Sequence, residues 1–135
     1  MQAMQTMRAI LTRMRTIALV GASNKPERAS YQVMQALLAQ GYQVFPINPL
    51  LVGEEILGCP VLADLTEAPC PIDVVNVFRQ SDQVPQIVQA SIQVQAKSIW
   101  TQLGIEHPQA TAQAQAAGLQ VVTNACIAVE LKKLT

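Results

Sequence analysis

The sequence predicts an α/β fold, a three-layer doubly wound parallel sheet in a single domain. Short β-branched runs alternate with longer helical patterns, the arrangement of a parallel sheet covered by helices on both faces. Half of the 135 residues are apolar and 13% are charged, which excludes a disordered or collagen-like chain and suits strands covered on both sides. The length falls within the usual range of one domain, and no internal repeat or linker interrupts the pattern.

Residues 1–15 carry Met4, Met7, Ile10, Leu11 and Met14 at helical spacing, with Arg8, Arg13 and Arg15 among them. They are expected to form an amphipathic helix that packs on the sheet domain at 16–135. The segment lacks the apolar run and cleavage site of a secretory signal, and no stretch approaches the ~20 apolar residues of a membrane span. The first strand is 16–20 (TIALV), apolar enough to be buried on both faces, and Gly21 ends it. Ser30 is the expected cap of the next helix, whose Val33, Met34, Leu37 and Leu38 form a stripe that Gly41 stops. In the strand 42–47 (YQVFPI), Pro46 cannot donate to a ladder, so the strand should end there or lie on an open side. Between 48 and 71 the pattern is mixed, with one short strand expected near Val61 and a helical turn from Asp64.

A strong strand follows at 73–78 (DVVNVF). Next comes a helix capped by Ser81, with Val84, Ile87, Val88, Ser91 and Ile92 on one face and Pro85 in its tolerant first turn. The strand 97–101 (KSIWT), a helix rich in Ala and Gln at 108–117 and the strand 119–123 (LQVVT) complete the alternation. Asn124 should cap a last helix carrying Ile127, Leu131 and Leu134, with Lys132 and Lys133 where the dipole favours cations.

Nine basic and nine acidic residues cancel and the basic ones are scattered, which argues against nucleic-acid binding and makes any anion site local. Cys59, Cys70 and Cys126 are odd in number and follow no metal-ligand spacing, so free thiols and a cytoplasmic setting are expected. His107 precedes Pro108 at a helix start, where a capping or solvated role outweighs catalysis. Trp100 should pack rather than stack on bases, and Glu54 and Glu55 read as exposed loop charges.

Ligands of open parallel sheets bind beyond the carboxyl ends of the strands. That rule selects 21–30, 48–49, 78–79, 102–104 and 124–126. The first, GASNKPERAS, places backbone amides where a phosphate can sit, with Lys25 and Arg28 beside them. It has one Gly where a dinucleotide fingerprint needs G-x-G-x-x-G, and Asn48 rather than an acid closes the second strand, which disfavours NAD. No G-x-x-x-x-G-K-S/T occurs, so the Lys and hydroxyl of a nucleoside-triphosphate loop are missing. By spacing alone, a phosphate-tolerant loop and a plain strand-to-helix turn stay equally open.

Several short motifs occur in order: VGAS at 20–23, Arg28 with Ser30, INP at 47–49, FR at 78–79, WTQLG at 100–104, and Cys126 before IAVE. From about Thr16 to Leu134 the chain resembles the small CoA-binding protein family, which is similar to the amino-terminal CoA-binding domain of the succinyl-CoA synthetase alpha subunit. The resemblance implies a Rossmann-like fold with coenzyme A, or an acyl-CoA, across the strand ends. It would bring Gly21, Ala22, Ser23, Asn24 and Lys25 to the phosphates, with Arg28 and Ser30 in support. Asn48 and Pro49 would shape the adenosine side; Phe78, Arg79, Gln102, Leu103 and Gly104 would line the opposite wall, and Asn124 and Cys126 would complete the site. Ala125 stands where relatives often carry Arg, so one positive charge is missing.

Two functions are consistent with these residues. The leading one is a non-catalytic module that binds coenzyme A or acyl-CoA, as a sensor or a partner-regulated subunit. The alternative is a small enzyme, or enzyme subunit, using the same cleft for a nucleotide or acyl-CoA reaction; no Ser-His-Asp set, metal cluster or acid/base pair can be assembled to carry it. Cys126 suits both a thiolate favoured by a helix dipole, able to exchange with a disulfide of CoA, and a small packing residue. Neither nucleic acid nor membrane is expected as a partner, and a homodimer or an unidentified protein partner stays open.

Overall fold

The computed structural model describes residues 2–69 and 71–134; Cys70 lies outside them. Five parallel strands form the sheet: β1 (Thr16–Val20), β2 (Gln43–Ile47), β5 (Val74–Val77), β6 (Ser98–Thr101) and β7 (Gln120–Val122), in the order β2-β1-β5-β6-β7. Helices α1 (Gln2–Arg13), α2 (Ala29–Ala39) and α5 (Ile127–Lys133) contribute to one face, α3 (Val84–Gln93) and α4 (Pro108–Ala116) to the other. This is the doubly wound, three-layer arrangement. Among the described residues, no helix is long and apolar enough to cross a membrane.

The period of two along each strand divides the core. Ile17, Leu19, Val74 and Trp100 face α1, α2 and α5, while Ala18, Val75, Val77 and Ile99 face α3 and α4. Trp100 is fully buried, as expected of a packing residue, and its Nε1 donates to the Ala125 carbonyl at 2.9 Å. Ile10, Leu11 and Met14 bury the apolar face of α1 against the domain, whereas Met4 stays exposed. Leu134 lies just past α5 and is exposed, so that helix buries only Ile127 and Leu131.

The stretch between β2 and β5 crosses over without an α-helix. It holds a two-stranded antiparallel hairpin, β3 (Glu55–Ile56) with β4 (Cys59–Pro60), where one strand near Val61 was expected. Val61 instead follows the hairpin into the core, and Leu62 bridges to Ile47. The turn after Asp64 is a short 3-10 helix, Leu65–Glu67, with Asp64 as its cap. Pro46 lies on the outer strand, where a missing N–H leaves no ladder bond unmade.

Three expected helix caps are not caps. Arg28, Gln83 and Cys126 hold the cap positions of α2, α3 and α5, none with a side-chain cap bond. Ser30 lies inside the first turn of α2 and is buried. Ser81 opens a 3-10 turn (Ser81–Gln83) and accepts from the Glu106 amide at 3.1 Å. Asn124, in the left-handed region at φ 56°, accepts from the Gly104 amide at 2.7 Å. His107 does cap α4, its Nδ1 accepting from the Ala110 amide at 3.2 Å.

Two backbone features position the strand ends. At the amino edge, Asp73 accepts from the amides of Arg15 (2.7 Å) and Thr16 (3.2 Å) and pairs with Lys97 at 3.3 Å, tying β1, β5 and β6 together. Partial burial pushes this carboxyl up, but the two amides and the Lys97 ammonium outweigh it and hold Asp73 below the usual carboxylate range. At the carboxyl edge Gly21 turns with φ 92°, and a Cβ there would stand 2.8 Å from the Phe78 carbonyl oxygen and 3.0 Å from Arg79 Cδ.

Replacing Asp73 by Asn should lower urea stability near neutral pH by about 1–2 kcal/mol, because charge-assisted hydrogen bonds become neutral ones. A depressed folded-state pKa stabilises fully above the unfolded value near about 3.9 and is lost as pH falls through the folded value. The gap between wild type and Asp73→Asn should therefore close in acid, and a gap that stays constant from neutral pH down into that acid range would refute the assignment. Gly21→Ala should cost about 2 kcal/mol or more, the sum of left-handed backbone and a forced shift of the Phe78 carbonyl. Urea titration checks it, and a loss below 0.5 kcal/mol, on the order of a surface substitution, would contradict the contact.

Candidate functional site

The chain leaves β1 toward β2 on one side and returns to β5 on the other, so the crevice between the loops after β1 and β5 is the topological switch point. Gly21, Phe78 and Arg79 meet there. The amides of Gly21 and Ala22 both donate to the Ile47 carbonyl, at 3.0 and 3.2 Å, and Asn48 Nδ2 donates to the Ala22 carbonyl at 2.9 Å. Asn48 Oδ1 also accepts from the Leu50 amide at 2.9 Å, capping a 3-10 turn that begins at Pro49. The loop after β1 is thus fastened to the end of β2.

Beyond Ala22 the donors open out. Ser23 Oγ accepts from the Lys25 amide at 3.1 Å, while the amides of Ser23 and Asn24 find no acceptor among the described residues. Arg28, extended at φ −79° and ψ 145°, leaves the first-turn amides of α2 without a side-chain cap, and the helix dipole adds positive potential at that end. The exposed side chains of Lys25, Arg28 and Arg79 make no ion pair among the described residues. Open amides and unpaired cations around one loop are the chemistry of an anion site.

Two clefts adjoin this loop and share Gly21, Arg79 and Gln83. One is polar and reaches Asn48, Phe78 and Gln80. The other is mainly apolar and runs between Ile47, Pro49 and Leu65 on one side and Gln86 and Ile87 of α3 on the other. Of the residues expected from the sequence, Gly21, Asn48, Pro49, Phe78 and Arg79 are brought together around these clefts, and 22–30 form the adjacent loop and helix start.

Gln102, Leu103, Gly104, Asn124 and Cys126 stand farther along the crest, at the ends of β6 and β7, where Gly104 and Asn124 are joined and Gln102 is tied to the strand and helix beside it. Gln102 Oε1 accepts from Asn76 Nδ2 at 3.0 Å and from the Ile127 amide at 3.1 Å, and the Asn124 amide donates to Thr101 Oγ1 at 3.1 Å. Leu103 is exposed, and Cys126 is half-buried against the core. Cys59, also a free thiol, is pushed toward its protonated form by burial and by Glu55 beside it.

Sequence reasoning missed five contributors. Leu65, Gln83 and Gln86 line the clefts only because the crossover and α3 converge above β1, which no local pattern reports. Glu54 accepts from Asn24 Nδ2 at 3.1 Å, so it is a tether on the loop after β1 rather than a bare charge. Asn76 is fully buried in β5; an Asn inside the apolar run DVVNVF was the available signal for the brace beneath the crest.

The protein is 37% identical over 120 residues to the uncharacterised protein YneT of Bacillus subtilis (strain 168), covering 89% of this chain and 87% of that one. The solved structure of cell-free ID.343 from Thermus thermophilus is 35% identical with a TM-score of 0.93, covering 98% of each chain. A dinucleotide-forming acetyl-coenzyme A synthetase 1 from Ca. Korarchaeum cryptofilum shares the fold at 24% identity and a TM-score of 0.67, over 79% of this chain and 25% of that one. Residues 15–132, which hold every strand and the whole crest, match the family model described as CoA binding domain, and the chain belongs to that family.

Proposed function

We propose that the protein binds coenzyme A or an acyl-CoA along the carboxyl edge of its sheet, as a binding module without a catalytic set of its own. One observation carries the reading: the amides of Ser23 and Asn24 and the uncapped start of α2 lie open beside three unpaired cations, at the switch point of the sheet. A diphosphate needs such donors, and membership of the CoA-binding family supports coenzyme A as the ligand that supplies it. Arg28 and Ser30 support the phosphates from α2, and Arg79 reaches them from the end of β5. The apolar cleft beside Pro49 takes the flat adenosine, which needs burial more than charge. The part of the chain at 16–135 is the binding unit, and α1 is an accessory helix packed on it. A binding module of this kind acts as a sensor or as a subunit whose partner reads the bound state.

Thermal shift with CoA, dephospho-CoA, NAD and ATP in parallel tests the ligand, because a ligand selective for the native state raises its stability by mass action. CoA should stabilise most, and a larger shift with NAD would reject the reading. Arg28→Ala and Arg79→Ala should each weaken CoA binding about ten- to a hundredfold, the equivalent of one charge-assisted bond of about 1.5–3 kcal/mol. Calorimetric titration showing under twofold loss at both positions would remove the phosphates from this loop.

A further inference from the structure

The main sheet has two edges, and they are finished differently. On β2, Leu62 takes up the outward groups at the carboxyl end, and Pro46 has no N–H to offer. The backbone of β7 has no such cover among the described residues. The Gln120 amide donates inward to the Lys97 carbonyl at 3.1 Å, and the alternation along a parallel strand then turns the N–H and C=O of Val121 outward. Leu119 and Thr123, two residues away on either side, share that direction. Among the described residues the amides of Val121 and Thr123 donate no bond, and the carbonyls of Leu119 and Val121 accept none.

Edge strands are commonly blunted by Lys, Pro, a bulge or an inward charge. Here no Asp, Glu, Lys or Arg stands between Glu106 and Glu130, and no Pro follows Pro108. The pairing of β7 with β6 runs without a bulge. From one face α4 packs on β7 and exposes only Pro, Gln and Ala. From the other face α1 packs on it with Arg8 and Arg13 exposed to water, where physiological salt screens charges more than about 8 Å apart.

The open groups complement themselves. A two-fold axis through Val121 lays a second β7 antiparallel against the first, so that Val121 exchanges both of its bonds with its mate and each Thr123 amide meets the other copy's Leu119 carbonyl. The two donors and two acceptors left open on each chain are thereby all matched. A charged strand would repel its own copy in this arrangement, and β7 carries no charge. A foreign strand sets no requirement that β7 complement itself.

We propose that β7 is a dimerisation edge, through which two copies of the chain join antiparallel at residues 119–123 and merge their sheets into one. The two crests then lie at opposite ends of the joined sheet, and each keeps its loops after β1 and β5 free.

Sedimentation velocity of the full chain over a concentration series should show a monomer passing into a dimer. Val121→Pro removes the outward N–H and leaves the inward bonds of β7 in place, as Pro46 does on β2, and it should keep the protein monomeric at concentrations where the wild type is dimeric. A wild type that stays monomeric up to about 1 mM, the weak end of specific association, would overturn the proposal, and so would a dimer that Val121→Pro leaves unchanged. If that variant does not fold, amide hydrogen exchange of the wild type decides. Dilution from dimer to monomer should speed exchange at Val121 and Thr123 by about tenfold or more, and rates that do not change with concentration would overturn the proposal as well.

Discussion

Gly21 passes so close to the Phe78 carbonyl that only a hydrogen fits on its α-carbon, and it does so with a positive φ. That approach lets the chain fold back over the end of β2, where one carbonyl, that of Ile47, receives two successive amides. The backbone that follows is then committed to face the crevice between β1 and β5, and its next two amides point away from the sheet's own acceptors. The proposed anion site is therefore a product of backbone geometry. The side chains of Lys25, Arg28 and Arg79 add charge to a surface that the main chain has already shaped.

The two walls of the crest differ in how they are held. The ends of β6 and β7 are cross-braced through Thr101, Gln102, Asn124 and the Trp100 indole, each bonded to the neighbouring loop. The loop after β1 is fastened at its base by Asn48 and farther out by exposed bonds from Asn24 to Glu54 and from Gln32 Nε2 to the Pro26 carbonyl. A preformed wall opposite a lightly tethered loop suits a long, jointed ligand, since the rigid side fixes register and the other adjusts to it.

Most of the architecture was legible because hydrophobic periodicity reports burial directly. Every strand of the main sheet falls inside a run read from the sequence, and the five crest segments follow from strand ends plus topology. The cap assignments fail for a reason that local sequence does not contain. Ser81 and Asn124 satisfy donors from distant loops, at Glu106 and Gly104, and so are taken from the helices beside them. Ser30 loses its position because Arg28 adopts the extended cap conformation two residues earlier. What such a reading could not supply was convergence: Glu54 with Asn24, Gln102 with Asn76, and Leu65 with Gln86 are separated by 20 residues or more and meet only once the sheet is assembled.

The crossover between β2 and β5 has an effect at the rim of the sheet. Leu62 donates to the Pro46 carbonyl at 2.9 Å and accepts from the Asn48 amide at 2.9 Å, occupying the outward-facing groups at the end of β2, where Pro46 itself has no hydrogen to offer. A foreign strand seeking to extend the sheet from this side meets the carboxyl end of that border already occupied. The same excursion that delivers Leu65 to the cleft thereby covers the end of that rim against strand addition.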